Sequence, residues 1–329
     1  MQRKPILCVD DEPGNLDLMR AVLGKDYRLI CANGGDAALL AAEKHRPALI
    51  LLDVEMPGMD GYEVAGKLKE LPATAHIPII FVTARNAPCD EEAGFAAGGV
   101  DYIGKPLNPR LLVARVRTHL SLVRAAELET SYRDAIAMLG EAGHYNDSDT
   151  GLHIWRMAEY SRCLALAVGW DEEDATLLEL AAPMHDTGKI GIPDSILKKP
   201  GPLDADEWLI MKTHSLIGHQ ILSKSQAPLF RLAAEVALCH HERWDGSGYP
   251  EGLAGEAIPE SARIVAVADV FDALTMKRPY KEAWPMEKVV HTLRELGGNH
   301  LDARMVAVFL AAMPEVEKIR RRWELKEQA

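Results

Sequence analysis

The chain lacks paired cysteine spacing, an apolar run of membrane length and any surplus of basic residues, and each absence removes a class of function. Its five cysteines, Cys8, Cys31, Cys89, Cys163 and Cys239, are scattered without a CxxC. They read as small buried side chains in a reducing compartment, not as a disulfide or zinc framework. No stretch approaches the roughly 20 apolar residues that span a bilayer, and Met1-Gln2-Arg3-Lys4-Pro5 leads into a short apolar strand and then acid, unlike a secretion signal. Lys and Arg number 37 against 49 Asp and Glu, a net charge of -12. Such a balance argues against a sequence-independent grip on DNA and against an anionic-membrane anchor, because both need clustered cations to offset phosphate. A small anionic ligand stays compatible where a metal supplies the positive charge. With 329 residues, 48% of them hydrophobic, the expectation is a cytoplasmic protein of two domains.

What is present is a concentration of metal-ligand chemistry. His240-His241 runs into Glu242-Arg243-Trp244-Asp245-Gly246-Ser247-Gly248-Tyr249-Pro250, and His185-Asp186 opens His-Asp-Thr-Gly-Lys. Neutral imidazoles and carboxylates suit divalent iron, manganese, zinc or nickel, and packing alone gives little reason to gather them in short segments. Isolated histidines, His45, His76, His119 and His291, read instead as hydrogen-bonded core side chains.

From Ile6 to about Leu120 short apolar runs alternate with amphipathic segments, five of each, which predicts an α/β doubly wound five-stranded parallel sheet. Sites in such sheets form at the carboxyl ends of the strands. Those ends carry Asp10 and Asp11, Asp53, Thr83, and Lys105-Pro106. Three carboxylates brought together repel one another unless a hard cation such as Mg2+ sits among them.

Through Asp10-Asp11-Glu12-Pro13, Asp53-Val54-Glu55-Met56-Pro57-Gly58-Met59-Asp60-Gly61, Thr83-Ala84 and Lys105-Pro106, residues 1–122 resemble the receiver domain of two-component response regulators, a flavodoxin-like fold. The resemblance implies that Asp53 takes a phosphoryl group from a cognate histidine kinase. It also implies that Asp10, Asp11 and Asp53 hold Mg2+, that Lys105 and Thr83 contact the phosphoryl oxygens, and that Tyr102 is the aromatic switch residue. Gly104 departs from the Ser or Thr often found there.

Asn108 to Leu139 reads as nearly continuous helix, with Pro109 near its start and no internal Gly or Pro. Residues 123–140 form the expected connector. Val113, Val116, Leu120 and Val123 have coiled-coil-like spacing, so two readings stand: a homodimer seam, or closure of the first domain's last helix on its own sheet.

Beyond Gly140 strand signals vanish. A capping box at Asp204 and Glu207 starts a helix that carries His214, and the apolar segment Ala262–Leu274 carries Asp269 and Asp272. Residues 141–329 are expected to form an all-α bundle, which builds metal sites from inward-facing side chains on several helices. The candidate ligands are Asp149, His153, His185, Asp186, His214, His240, His241 and Asp269, too many for one ion. They suit two six-coordinate ions sharing a carboxylate.

This second set, with Thr150-Gly151-Leu152-His153, His185-Asp186-Thr187-Gly188-Lys189, Lys212-Thr213-His214, the Gly-Tyr-Pro loop, and Ala268–Leu274 with Arg278-Pro279-Tyr280-Lys281, is similar to the HD-GYP family of the HD superfamily of metal-dependent phosphohydrolases. The resemblance implies hydrolysis of cyclic di-GMP to pGpG, with the final product, pGpG or GMP, left open. His153, His185, Asp186 and Asp269 would hold one ion, Fe or Mn ahead of Zn or Ni. Asp186 would bridge to a second held by His214, His240 and His241, with a bridging hydroxide as nucleophile. Lys189 is expected at the scissile phosphate, as a catalytic partner to Asp186, and Arg278 and Lys281 at the other phosphate. Asp149 stands where family members with a third metal carry Glu. GGDEF-type proteins are an expected partner class, and whether the Gly-Tyr-Pro loop meets substrate or a partner domain stays open. The alternatives are a catalytically weak or inactive cyclic dinucleotide sensor or interaction module, and a phosphodiesterase for another cyclic dinucleotide such as cyclic GMP-AMP.

Overall fold

Every residue of β3 (Leu49–Asp53) and β4 (Ile79–Thr83) is buried, as parallel strands covered on both faces must be. The structure, a computed structural model, describes residues 4–84, 94–144, 152–276 and 283–327. β3 and β4 sit in a five-stranded parallel sheet of order β2-β1-β3-β4-β5, with β1 at Ile6–Val9, β2 at Leu29–Ala32 and β5 at Asp101–Gly104. Side-chain alternation divides the core. Leu7, Val9, Ile50, Leu52, Ile79 and Phe81 meet Ala38 and Ala42 of a helix at Gly35–His45 and Val64, Ala65 and Leu68 of one at Gly61–Glu70. On the other face Ile6, Cys8, Leu49, Leu51, Ile80 and Val82 pack with Leu16, Met19 and Leu23 of α1 (Pro13–Leu23). The helices at Gly35–His45 and Gly61–Glu70 are α2 and α3. The strand order reverses between β1 and β3, so their carboxyl ends open the crevice where a ligand site belongs. Of the five amphipathic segments expected, the one between β4 and β5 falls partly outside the described residues; 94–96 are helical.

α4 runs from Pro109 to His144, and two compact units, Met1–Thr130 and Ser131–Ala329, divide within it. Leu112, Val116 and Leu120 are buried in the first unit's core, with Val113 packed partly against it. Closure on the sheet therefore accounts for Val113, Val116 and Leu120. From Ser121 to Ala135 the helix is exposed except at half-buried Val123.

The described part of the second unit is helical: α5 (Leu152–Val168), α6 (Glu172–Ala181), α7 (Asp194–Leu197), α8 (Ala205–Leu222), α9 (Pro228–Cys239), α10 (Glu260–Thr275), α11 (Met286–Leu296), α12 (Ala303–Ala311) and α13 (Met313–Glu327). Its core centres on edge-on contacts among Tyr160, Phe271 and Phe309, with ring centroids 5.0 to 6.4 Å apart. The capping box forms: Asp204 Oδ1 accepts from the Glu207 amide at 2.9 Å and Glu207 Oε2 from the Asp204 amide at 2.8 Å, which fixes the register of α8 and so of His214. Of the isolated histidines, only His119 is hydrogen-bonded and largely covered as expected, and the others are not core side chains. His76 and His291 are exposed, His45 is half-buried, and His119 sits 2.9 Å from Asp101 Oδ2. Among the described residues no helix is long and apolar enough to cross a membrane.

Candidate metal centres

At the carboxyl ends of β1 and β3, Asp10, Asp11 and Asp53 each offer an oxygen within 4.8 Å of the others. Asp10 and Asp53 are buried, so their charges are costly without compensation. Asp10 Oδ1 accepts from the Glu12 amide at 2.9 Å and from Asn15 Nδ2 at 3.0 Å. Lys105, just past β5, closes the crevice, its Nζ 2.8 Å from Asp53 Oδ2 and 3.1 Å from Asp10 Oδ2. Burial pushes the Asp53 carboxyl above its ordinary value, against the pull of the Lys105 hydrogen bond, and the Asp10 charge raises it further. Burial opposes the Lys105 charge, but its bonds to Asp53 and Asp10 outweigh that and hold the ammonium above its usual range. Two buried carboxylates share one ammonium, a donor set that fits a hard divalent cation. Thr83 ends β4 beside them, buried. The Tyr102 ring stacks on Phe81 at 5.6 Å and meets Phe95 edge-on at 5.2 Å.

In the second unit the chain turns through 3-10 segments at Ala182–Met184 and Thr187–Gly191, and His185 and Asp186 sit between them. Gly188 makes this turn feasible against α8. A Cβ there would lie 1.8 Å from the His214 carbonyl oxygen and 2.4 Å from the Gly218 amide. The close approach puts His214 beside Asp186. His185 Nε2 is 3.2 Å from Asp186 Oδ2, while His214 Nε2 and His240 Nε2 are 3.3 and 3.7 Å from Oδ1. Lys189 Nζ is 2.8 Å from Oδ2. Asp186, His214, His240 and His241 offer atoms all within 4.8 Å of one another.

The far nitrogens of three rings are occupied by backbone carbonyls. His185 Nδ1 lies 2.9 Å from Ala182 O, His214 Nδ1 2.7 Å from Met211 O, and His240 Nδ1 3.1 Å from both Val236 O and Ala237 O. A carbonyl only accepts, so each Nδ1 carries the proton and each Nε2 turns a lone pair toward the Asp186 carboxylate. Among the described residues the buried Nε2 atoms of His214 and His240 have no hydrogen-bond partner. Burial depresses His214 to about 4 and holds His241 well below its ordinary value, with His240 adding to the latter. Neutral acceptors converging on a carboxylate repel it unless a cation lies between them, so the set fits a divalent metal.

His153 and Asp269 make a second pairing, Nε2 to Oδ1 at 3.6 Å. His153 also meets Asp272, which is joined bidentately by Arg156, Nη2 to Oδ2 at 2.8 Å, and both members of that ion pair are 1% exposed. Neither Arg156 nor Asp272 had been assigned a role from sequence. The available signal was spacing, since each follows a proposed ligand by three residues on a helix. Asp149, Arg278 and Lys281 lie outside the described residues.

The Gly-Tyr-Pro loop folds onto the histidines. The Tyr249 ring lies 4.8 Å from that of His241 at 30° and 6.3 Å from that of His214, and the charges of both Asp186 and Asp269 act on its phenol, which burial pushes up. Glu242, 3% exposed, holds the loop from beneath, accepting from the amides of Glu251 (2.8 Å), Gly252 (3.2 Å) and Leu253 (2.9 Å). In this loop Gly246 takes a positive φ of +78°, the left-handed region that glycine enters freely. Gly248 is needed for space, because a Cβ there would lie 2.4 Å from the Arg243 amide.

Residues 6–117 match the family described as "Response regulator receiver domain", and residues 122–305 match "HD domain". The chain is 39% identical to a probable cyclic di-GMP phosphodiesterase of Vibrio cholerae, across 93% of this chain and 77% of the relative. It is 41% identical to the cyclic di-GMP phosphodiesterase response regulator RpfG of Xanthomonas campestris pv. campestris, across 95% and 89%. A 3'3'-cGAMP-specific phosphodiesterase 2 of Vibrio cholerae is 43% identical over 59% of this chain and 37% of that protein.

Proposed function

The chain belongs to the response regulators that join a receiver domain to an HD-GYP domain of the metal-dependent phosphohydrolases, and from that premise we propose that it hydrolyses cyclic di-GMP to pGpG and then GMP under control of phosphorylation at Asp53. The observation that carries the catalytic part is the Asp186 carboxylate ringed by the Nε2 atoms of His185, His214 and His240. His153, His185, Asp186 and Asp269 would hold one divalent ion and Asp186, His214, His240 and His241 the other. Ions bound there would supply Lewis acidity at the phosphoryl oxygens and lower the pKa of a water.

The chain's own residues do the rest. The backbone-bonded Nδ1 atoms keep the imidazoles aimed, so the cost of orienting them is met before substrate arrives. Lys189, already beside Asp186, meets the scissile phosphodiester as it enters, and with the two ions it leaves the site cationic in a protein of net charge -12. Tyr249 covers His241 and limits water on that side. In the receiver unit Asp53 is the phosphoryl acceptor, Asp10 and Asp11 complete a Mg2+ site, and Lys105 moves from the carboxylates to the incoming phosphoryl oxygens. The phosphodonor is a histidine kinase.

A second reading keeps the chemistry and changes the base. The 43% identity to the relative named for 3'3'-cGAMP favours testing it. Anaerobically purified full-length protein, loaded with Fe2+ or Mn2+, is assayed by product chromatography on cyclic di-GMP and cyclic GMP-AMP, with and without beryllofluoride on Asp53. Metal-dependent appearance of pGpG, changed in rate by beryllofluoride, is the expected result. Binding without turnover in every metal sinks the hydrolase reading, and faster turnover of cyclic GMP-AMP replaces the substrate.

A further inference from the structure

His153 is oriented differently from the other buried histidines, and its place in the helix explains why. His185, His214 and His240 each satisfy Nδ1 with a carbonyl three or four residues earlier in their own turn. His153 is the second residue of α5 as described, so no described helical turn precedes it to offer such a carbonyl. Its Nδ1 reaches across to the neighbouring helix and meets Asp272 Oδ2. α10 thus presents two carboxylates to one imidazole, Asp269 at Nε2 and Asp272 at Nδ1, three residues apart on a single face. Arg156, one turn beyond His153 on α5, returns to Asp272 through Nε and Nη2.

We infer that Asp272 and Arg156 are positioning residues that govern the His153-side ion independently of the ion held by His214, His240 and His241. The inference rests on the two-ion reading above. A buried carboxylate behind Nδ1 holds the proton there, turns the Nε2 lone pair toward Asp269, and makes the imidazole a stronger donor than a carbonyl does. Uncompensated, a carboxylate so buried would be costly, and the bidentate guanidinium offsets that cost. The other three histidines take their orientation from helix backbone, which no side-chain change removes. The His153-side ion therefore depends on an inter-helix carboxylate at His153, its other imidazole, His185, being held by local backbone, whereas His214 and His240 on the other ion are both held by local backbone alone.

The test uses the full chain, purified anaerobically, and reads metal stoichiometry and affinity directly. Asp272→Asn keeps the volume but replaces the anion with an amide. Arg156→Met combined with Asp272→Asn removes both charges, so that no unpaired guanidinium is left to unfold the bundle. Titration with Mn2+ against a chelator should show two ions on the wild-type chain. In both variants one equivalent should weaken about 10- to 100-fold, the usual range for loss of such a partner, while the other keeps its affinity. Circular dichroism of the metal-free proteins should be superimposable. Retention of both ions at wild-type affinity overturns the inference, as does parallel weakening of both, which marks a general structural role. A wild-type chain that takes up fewer than two ions overturns the ligand reading itself, and this inference with it.

Discussion

Replacing Glu242 with Gln should loosen one loop and little else. The carboxylate is buried and accepts three backbone amides, two on Oε1 from Glu251 and Gly252 and one on Oε2 from Leu253. Gln keeps a carbonyl oxygen for the first two. Its amide nitrogen then faces the Leu253 N–H donor to donor, and the remaining bonds lose their charge assistance. A hydrogen bond to a charged group contributes about 1.5 to 3 kcal/mol, so a loss near 2 kcal/mol is expected. At about 1.4 kcal/mol per decade, that is roughly 30-fold in a local opening equilibrium. Hydrogen exchange of the full chain, followed by mass spectrometry on peptides covering 245–254, reads that equilibrium where opening is local. Faster exchange should be confined to this loop, with the α5 and α10 peptides unchanged. Because Tyr249 rides on the loop and packs on His241, a weaker Michaelis complex should accompany it, as a higher KM with kcat less affected. Unchanged exchange at 251–253, or equal acceleration throughout the second unit, would refute the latch.

Three other outcomes follow from the same geometry. Gly188→Ala should destroy the second unit's site, since its Cβ would fall 1.8 Å from the His214 carbonyl oxygen; a soluble variant with wild-type metal uptake would show that the turn can shift. For the metal-free chain, His214 in the folded state titrates at about 4, below the 6.5 of the free side chain. The unfolded chain therefore binds the proton first, and stability present above 6.5 is lost as pH falls toward 4, with His241 acting in the same direction. A urea midpoint lower at pH 5 than at pH 7 is the expected reading, and equal midpoints contradict the buried neutral histidines. Asp53→Asn should take no phosphoryl group from a small-molecule acyl phosphate, measured by phosphate-affinity electrophoresis, and persistent labelling would move the acceptor elsewhere.

Much of this was legible because the relevant physics is local or periodic. Two-faced burial in a parallel sheet follows from short apolar runs such as Ile50-Leu51-Leu52 and Ile79-Ile80-Phe81, which have no polar face to expose. The capping box at Asp204 and Glu207 needs only residues three apart. Ligand types in dense clusters reveal a site even when its members are far apart in the chain, which is why His185-Asp186, His214 and His240-His241 could be gathered before any geometry was known. The stripe at Val113, Val116 and Leu120 was ambiguous for the opposite reason. An apolar helix face has the same spacing whether it meets its own sheet or a second copy, and only the sheet's position decided for the former.

Residue identity and spacing determined which groups could bind metal or phosphate. What the tertiary structure decided was how those groups are held. The carbonyls behind His185, His214 and His240 are backbone atoms that no sequence pattern displays. The Asp272 carboxylate behind His153 comes from a helix more than a hundred residues away, and Glu242, adjacent to two proposed ligands, proves to be the anchor of a loop. Orientation and second contacts depend on which helices pack together, and packing is a property of the whole chain.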